Sequence, residues 1–537
     1  MKKRIISLAA ALVMALTALP ALPALALDSV SVEPCWNVPS GYNAADYNKI
    51  ATFLEQTDES GVKNGAKLSD SYDANNPNSW GSTFGNDLNG YYTLVPRVLW
   101  RTVSGTKRID TVRIENCRLV GNLDLSGCTS LKYLYCNVNN IASLNVSGCT
   151  ALQTVYASGN EFTSVNVSGC TQLTSLSVAD SRLTSLSVSG LTRLKSLSCA
   201  GNEIASLNVS YMSALETLNC MHNGMTNLNV TGCAVLDSLF CDDNALTSLD
   251  LTGCNYLRLL GCSKNGLTSL NCSGKNRLQE VECSDNMIAN LNLTGCTALK
   301  MLYCGKNRIS SLNFTASGLK ILHCQENLLT ALNTSGYSQL EELVCGDNRL
   351  TSLNLSSNRQ LWKLYCENNA LTSLSLNNNT ALTNLKTHGN ELTALSLSAI
   401  SALPMNTLNT QGGGYIGYDH YVTAGVRTSM VFAVPAPGNR FEGWYTSSGS
   451  LVSTASEYDL NYQNAPTALT ARFAAAGLIG DVDGNGAVNI ADAVLALRYA
   501  MGLIGSLPCP ENGDIDGSGS ITVADALSIM RLAMGIA

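Results

Sequence analysis

Leu194-Lys195-Ser196-Leu197-Ser198-Cys199-Ala200-Gly201-Asn202-Glu203-Ile204 holds one copy of a pattern that runs through more than half of the chain. Its apolar positions 194, 197, 199 and 204, with an asparagine at 202, return along the chain as a unit. Cys199, Cys220, Cys241, Cys262, Cys283 and Cys304 follow at a constant step of 21 residues, and Cys136 lies three steps earlier. After one single-residue deletion, Cys324, Cys345 and Cys366 continue the series, while Ala157, Val178 and Thr387 fill the same slot elsewhere. Three residues after each stands an asparagine: 139, 160, 202, 223, 244, 265, 286, 307, 327, 348, 369 and 390, with Ser181 the exception. A period of this length marks a stacked repeat, because no single unit can bury its own leucines.

The pattern Leu-x-x-Leu-x-Cys-x-x-Asn-x-Ile resembles the leucine-rich repeat, and an earlier unit with Ile109, Val112, Ile114 and Cys117 fits it as well. From Ile114 to Thr387 the slot implies about fourteen coils, each giving one short parallel strand to a concave face of roughly 60 Å. The asparagine is expected to point inward after the strand and bond backbone groups that the turn would leave unsatisfied. The expected fold class is an α/β solenoid with a parallel β concave face over 109–400, then a small β-rich module over 410–475 and a small helical two-calcium unit over 478–537.

Twenty cysteines in an exported chain would ordinarily suggest a disulfide framework. Ten occupy the strand slot, and six more (Cys128, Cys149, Cys170, Cys233, Cys254, Cys296) follow Ser-Gly or Thr-Gly. On stacked strands their Cβ vectors run parallel, which is wrong for a bridge, so they read as small buried hydrophobes. One thiol per coil supplies no tetrahedral zinc cluster. The column resembles the cysteine ladder of the internalin family of surface adhesins, over about 109–397.

Residues flanking the ladder slot face outward, which places Tyr133, Tyr135, Tyr156, Phe240, Tyr303 and Tyr365 on the concave face among Asp242, Glu280, Glu282, Glu342 and Glu367. Aromatics amid small polar residues suit recognition of a protein or a glycan. A solvated face that binds nothing is the bland alternative.

Residues 1–26 read as a signal peptide: Lys2, Lys3 and Arg4, an apolar run broken by Pro20 and Pro23, then Ala24-Leu25-Ala26. The mature chain is expected to be secreted, scaffold- or cell-surface-associated, with no membrane span after signal removal. Residues 27–108 should hold the solenoid cap, with a helix over 43–54 and Trp80 and Trp100 in its core. After 397 the leucine period dissolves. A strand-like run at 428–434 and the motifs Phe441-Glu442-Gly443-Trp444-Tyr445 and Leu469-Thr470-Ala471-Arg472-Phe473 resemble the internalin B-repeat, a β-rich spacer.

Near the carboxyl end, Asp481, Asp483, Asn485, Asn489 and Asp492 stand at loop positions 1, 3, 5, 9 and 12 with glycine at 6, the spacing that wraps backbone around Ca²⁺. The pattern returns 33 residues on as Asp514, Asp516, Ser518, Thr522 and Asp525, and Arg498 recurs as Arg531. This pair resembles a type I dockerin. The resemblance implies two Ca²⁺ ions, backbone ligands from Ala487 and Ser520, and docking to the cohesin module of a scaffold protein, as in cellulosomes. Cohesin-reading positions would be Ile490, Ala491, Arg498, Val523, Ala524 and Arg531. Ser518 and Thr522 depart from the usual Asp or Asn, so the second loop is expected to bind more weakly.

Lys+Arg 33 against Asp+Glu 40 leaves a charge of −7 and no basic patch for a phosphate backbone, which excludes nucleic acid as a partner class. The composition and motifs point to a non-catalytic binding subunit. An extracellular hydrolase of polysaccharide or peptide is the alternative, although no nucleophile elbow or His-Glu-x-x-His appears and His222, His323, His388 and His420 are scattered.

Overall fold

The computed structural model describes residues 36–86, 92–423, 426–460 and 466–536. The expected signal at 1–26 and Cys35 lie outside the described residues. From the strand Thr106–Arg113 to the strand Asn384–Lys386, fourteen parallel strands pair in strict register, Leu197 on Leu218 and Leu218 on Leu239, so the 21-residue step becomes one strand spacing. Leu194, Leu197, Cys199 and Ile204 of one coil are buried and stack on their equivalents in the next. Hydrophobic burial is thus repeated between coils and absent within any one of them, which makes the solenoid dependent on its neighbours at each end.

Each ladder asparagine does what the turn requires. Asn202 Nδ2 donates to the Val178 carbonyl of the preceding coil and to the Cys199 carbonyl of its own, both at 3.0 Å, and Oδ1 accepts from the Leu183 N–H at 3.0 Å. Asn265 and Asn369 repeat the triangle. Where Ser181 stands instead, its buried hydroxyl has no partner. A second column follows the Ser-Gly turn: Cys149 and Cys170 donate their thiols to the Leu125 and Val146 carbonyls at 3.1 Å. In that column Lys275 replaces cysteine and buries its ammonium on the Leu251 and Cys254 carbonyls, at 3.0 and 3.3 Å.

At the amino end, helix α1 (Ala44–Glu55) follows the N-cap Asn43 and lays Tyr47, Ile50, Ala51 and Leu54 on the first coil. Buried Asp46 accepts from Arg108 Nε and Nη2 at 2.7 and 2.9 Å and from the Ile109 N–H at 3.1 Å, so cap and first strand share one ion pair. Trp80 and Trp100 pack with Tyr47 as expected, at ring separations of 5.0 and 6.0 Å. The strand Val98–Val103 then pairs antiparallel with Thr106–Arg113 and covers that sheet edge.

At the other end the structure differs from the expectation of a spacer. The strand Gly414–Thr423 pairs antiparallel with the last coil, Leu385 on His420 and Lys386 on Asp419, and hydrophobic core runs without a break into the module. The physical reason is the exposed edge strand that the last coil would otherwise present. The ladder slot ends here on Thr387, whose hydroxyl donates to the Tyr418 carbonyl at 3.0 Å and accepts its N–H at 2.9 Å, a contact no thiol or methyl makes as well. Asp419 accepts from the Thr387 N–H at 3.1 Å and holds His388 Nδ1 at 2.7 Å.

Two outcomes follow. Ser181→Asn should raise stability by about 1–2 kcal/mol in chemical denaturation, because the amide would meet the Ala157 and Val178 carbonyls and the Phe162 N–H as its neighbours do. The second concerns pH. The bond to Asp419 favours the imidazolium and raises His388 above its ordinary value, with Glu367 adding to the raise and burial and Lys386 opposing it. That contribution is complete below about pH 6.5 and is lost as pH rises through the folded value. Unfolding measured at about pH 6 and about pH 8.5 should show the drop, and His388→Asn should abolish it.

Candidate calcium-binding tail and concave recognition face

The tail forms its own small core, Val482, Ala493 and Ala496 against Leu507, Ala526 and Ile529. Helix α2 (Ile490–Ala500) and helix α3 (Val523–Ala533) each begin with a capping box, Asn489 with Asp492 and Thr522 with Asp525. The box fixes the last residue of each loop against its own N-cap and returns that carboxylate to the loop's start. Asp492 accepts from the Asp483 N–H at 3.1 Å and the Asn489 N–H at 2.9 Å. Asp481, buried, accepts from Gly484, Asn485 and Gly486 at 2.8 to 3.1 Å. Gly486 and Gly519 take φ near +88° and +84°, a turn that a side chain would strain.

These contacts bring carboxylate oxygens of Asp481, Asp483 and Asp492 within 4.8 Å of one another, and those of Asp514, Asp516 and Asp525 likewise. Among the described residues these are the only two such acid, histidine or thiol groups. Three converging carboxylates repel at this range unless a cation sits among them, and all-oxygen donors suit a hard divalent ion. The donor set therefore fits Ca²⁺. Asn485 and Asn489 stand at the first loop's rim, where the Asn489 amide reaches the Ala487 carbonyl at 3.2 Å. In the second loop Ser518 donates to the Ser520 carbonyl at 3.1 Å and Thr522 to Asp525 at 2.8 Å, so two of its weaker donors point at other ligands.

All six expected cohesin-reading residues, Ile490, Ala491, Arg498, Val523, Ala524 and Arg531, are exposed on α2 and α3. Ile490 and Val523 leave 58% and 56% of their surface free. Sequence reading passed over Val494 and Leu527, which are exposed one helical turn further on and related by the same offset of 33. That offset is the signal that could have found them.

On the concave face Tyr133, Tyr135 and Tyr156 gather at one pole, and Phe240, Tyr303 and Tyr365 follow singly at intervals of three strands, Tyr365 at the far pole. Tyr135 and Tyr156 lie 5.7 Å apart with the Arg113 guanidinium 5.1 Å from the Tyr135 ring, and Tyr133 bonds Gln153 at 3.2 Å. Tyr303 meets His323 edge-on at 5.0 Å, and Phe240 sits half-buried between the poles. At the far pole Lys386 Nζ lies 4.9 Å from the Tyr365 ring and 4.6 Å from that of Tyr421, a residue supplied by the β module and absent from the sequence-derived stripe. Among them, burial pushes the Asp242, Glu282 and Glu367 carboxyls up, and Glu280 adds to the shift at Glu282. Every described cysteine is free, and burial pushes the Cys199 and Cys283 thiols up to about 12, which keeps them protonated and inert.

Two family models match. Residues 479–532 match the dockerin type I domain, and residues 405–477 match the divergent InlB B-repeat domain. No curated protein matches the chain. Among solved structures, the functional domain of InlJ from Listeria monocytogenes, described as including a cysteine ladder, is 24% identical, with a TM-score of 0.50 over 68% of this chain and 90% of that one. A leucine-rich-repeat protein of Leptospira interrogans is 22% identical (TM-score 0.45, 53% and 79% covered), and YopM of Yersinia pestis 21% (TM-score 0.44, 52% and 84% covered). The chain is thus a parallel leucine-rich-repeat-like solenoid followed by a β-rich region and a type I dockerin domain. No helix among the described residues is long and apolar enough to cross a membrane.

Calorimetric titration of the calcium-depleted full chain should resolve two classes of Ca²⁺ site. Asp481→Ala should remove the tighter one and Asp514→Ala the weaker one.

Proposed function

We propose that the chain is a secreted, non-catalytic recognition subunit that docks to a scaffold protein through its tail and presents its solenoid to a protein or glycan. The observation that carries the docking half is the duplication itself: two loops of converging carboxylates, each feeding a helix with exposed apolar and basic residues at equivalent positions. Two Ca²⁺ ions would be held by Asp481, Asp483, Asn485, Ala487, Asn489 and Asp492, and by Asp514, Asp516, Ser518, Ser520, Thr522 and Asp525. Bound calcium would offset most of the negative charge of each loop's three carboxylates and so set the two helices against each other. Ile490, Ala491 and Arg498, with Val523, Ala524 and Arg531, would then meet a cohesin module, the apolar residues as buried anchors and the arginines at the rim.

The solenoid half rests on the concave aromatics, since half-buried rings held by neighbouring side chains bind at low entropic cost. In this reading the β module carries no ligand of its own. It caps the solenoid and joins it to the docking tail.

Calorimetry of the full chain against a panel of cohesins should show binding with Ca²⁺ present and none with a chelator. Ile490→Asp combined with Val523→Asp should weaken it by more than about a hundredfold. Failure to bind any cohesin with Ca²⁺ would remove the docking half. Adhesion of the full chain to plant cell-wall material should fall when Tyr135, Phe240, Tyr303 and Tyr365 are replaced by alanine; unchanged adhesion would reduce the solenoid to a spacer.

A further inference from the structure

Beside Tyr156 the concave face opens into a shallow cavity of about 410 Å³, lined by Asn137, Val138, Tyr156, Ser158, Ser177 and Asp180. That volume falls among those of small-ligand sites, roughly 300–1,000 Å³. Tyr156 exposes 43% of its surface, while the other five concave aromatics are half-buried. Tyr135 packs on one side of its ring, and the strand on the other side offers only Ser177, too small to cover it. The ring is held and left bare at once.

Beyond it the floor is made of hydroxyls. Strands in register bring Ser175 and Ser177, Ser196 and Ser198, and Thr217 and Asn219 to the surface, with no charged or apolar outward residue among them. Ser158 Oγ lies 2.6 Å from Ser177 Oγ and accepts the Ala179 N–H at 3.1 Å, so this pair is fixed. At the rim the exposed Asp180 carboxylate makes no ion pair among the described residues, and the Asn137 amide stands across the cavity. Serine and threonine are poor anchors for a protein partner. A hydroxyl both donates and accepts, which matches it to a ligand that is itself polyhydroxylic. The absence of lysine and arginine from this floor gives an anionic ligand nothing to pair with.

We propose that this cavity is a subsite for a neutral polysaccharide, one pyranose ring lying with its C–H face on Tyr156 and its hydroxyls meeting Ser158, Ser177, Asn137 and Asp180. It rests on the reading of the concave face as a recognition surface and gives that face a ligand class and a position.

The full chain titrated with cellohexaose, xylohexaose and mannohexaose should bind at least one of them. Tyr156→Ala should weaken that binding by about tenfold or more, while Tyr156→Phe, which keeps the ring, stays within about threefold. Tyr211→Ala, which removes an exposed ring from a turn outside the concave strands, should leave it unchanged. Binding kept with Tyr156→Ala overturns the placement. No binding of any of the three sugars overturns the ligand class. If, in that case, adhesion to cell-wall material persists and protease treatment of the wall removes it, the concave face recognises a protein and the wider reading stands. Loss of both sugar binding and adhesion overturns the two together.

Discussion

One side-chain amide per coil sets the terms for everything else. A turn every 21 residues leaves backbone carbonyls inside a water-free stack, and each must be met or the coil pays a desolvation cost. Asn202 meets three carbonyls and one N–H in a single gesture, and two of those partners, the Val178 carbonyl and the Leu183 N–H, lie in the coil before it. The same bond that completes a turn therefore fastens it to its neighbour. Coils stabilised this way cannot stand alone, which is why both sheet edges carry protein: α1 with the Val98–Val103 strand at one end, and the Gly414–Thr423 strand at the other.

Much of this was legible because it is periodic. The step of 21 gave the strand register, the asparagine its inward bond, and the cysteine column its packing role. The loops at 481–492 and 514–525 were equally readable, since ligand spacing is a local property and the helices behind them begin on capping boxes. What escaped was aperiodic. Asp419 meets His388 across 31 residues in an antiparallel pairing that occurs once, and nothing in the spacing of either residue announces it. Tyr421 joins the concave pole by the same single event, as a consequence of the edge being covered rather than of any pattern. Val494 and Leu527 were available from the offset of 33 but look like ordinary helical apolar residues until their exposure is known.

The buried thiols illustrate a different constraint. A column of leucines in the strand slot would crowd the interior opposite the second column, and cysteine gives apolar volume in a smaller side chain. Enclosure then removes the chemistry that would make so many thiols a liability in an oxidising setting, since a thiol held protonated and out of reach neither exchanges nor bridges.

The junction before residue 479 bears on mechanics. The strand Ala468–Ala475 is the last element before the tail, and it is stitched along both sides: parallel to Thr407–Gln411 through five registered pairs, and antiparallel to Asn439–Thr446. Traction on the tail runs along this strand, so the flanking hydrogen bonds are loaded together in shear and none is peeled singly. A molecule tethered at that point and gripping a surface with its concave face would yield first in its grip or its tether, and last in the seam between them.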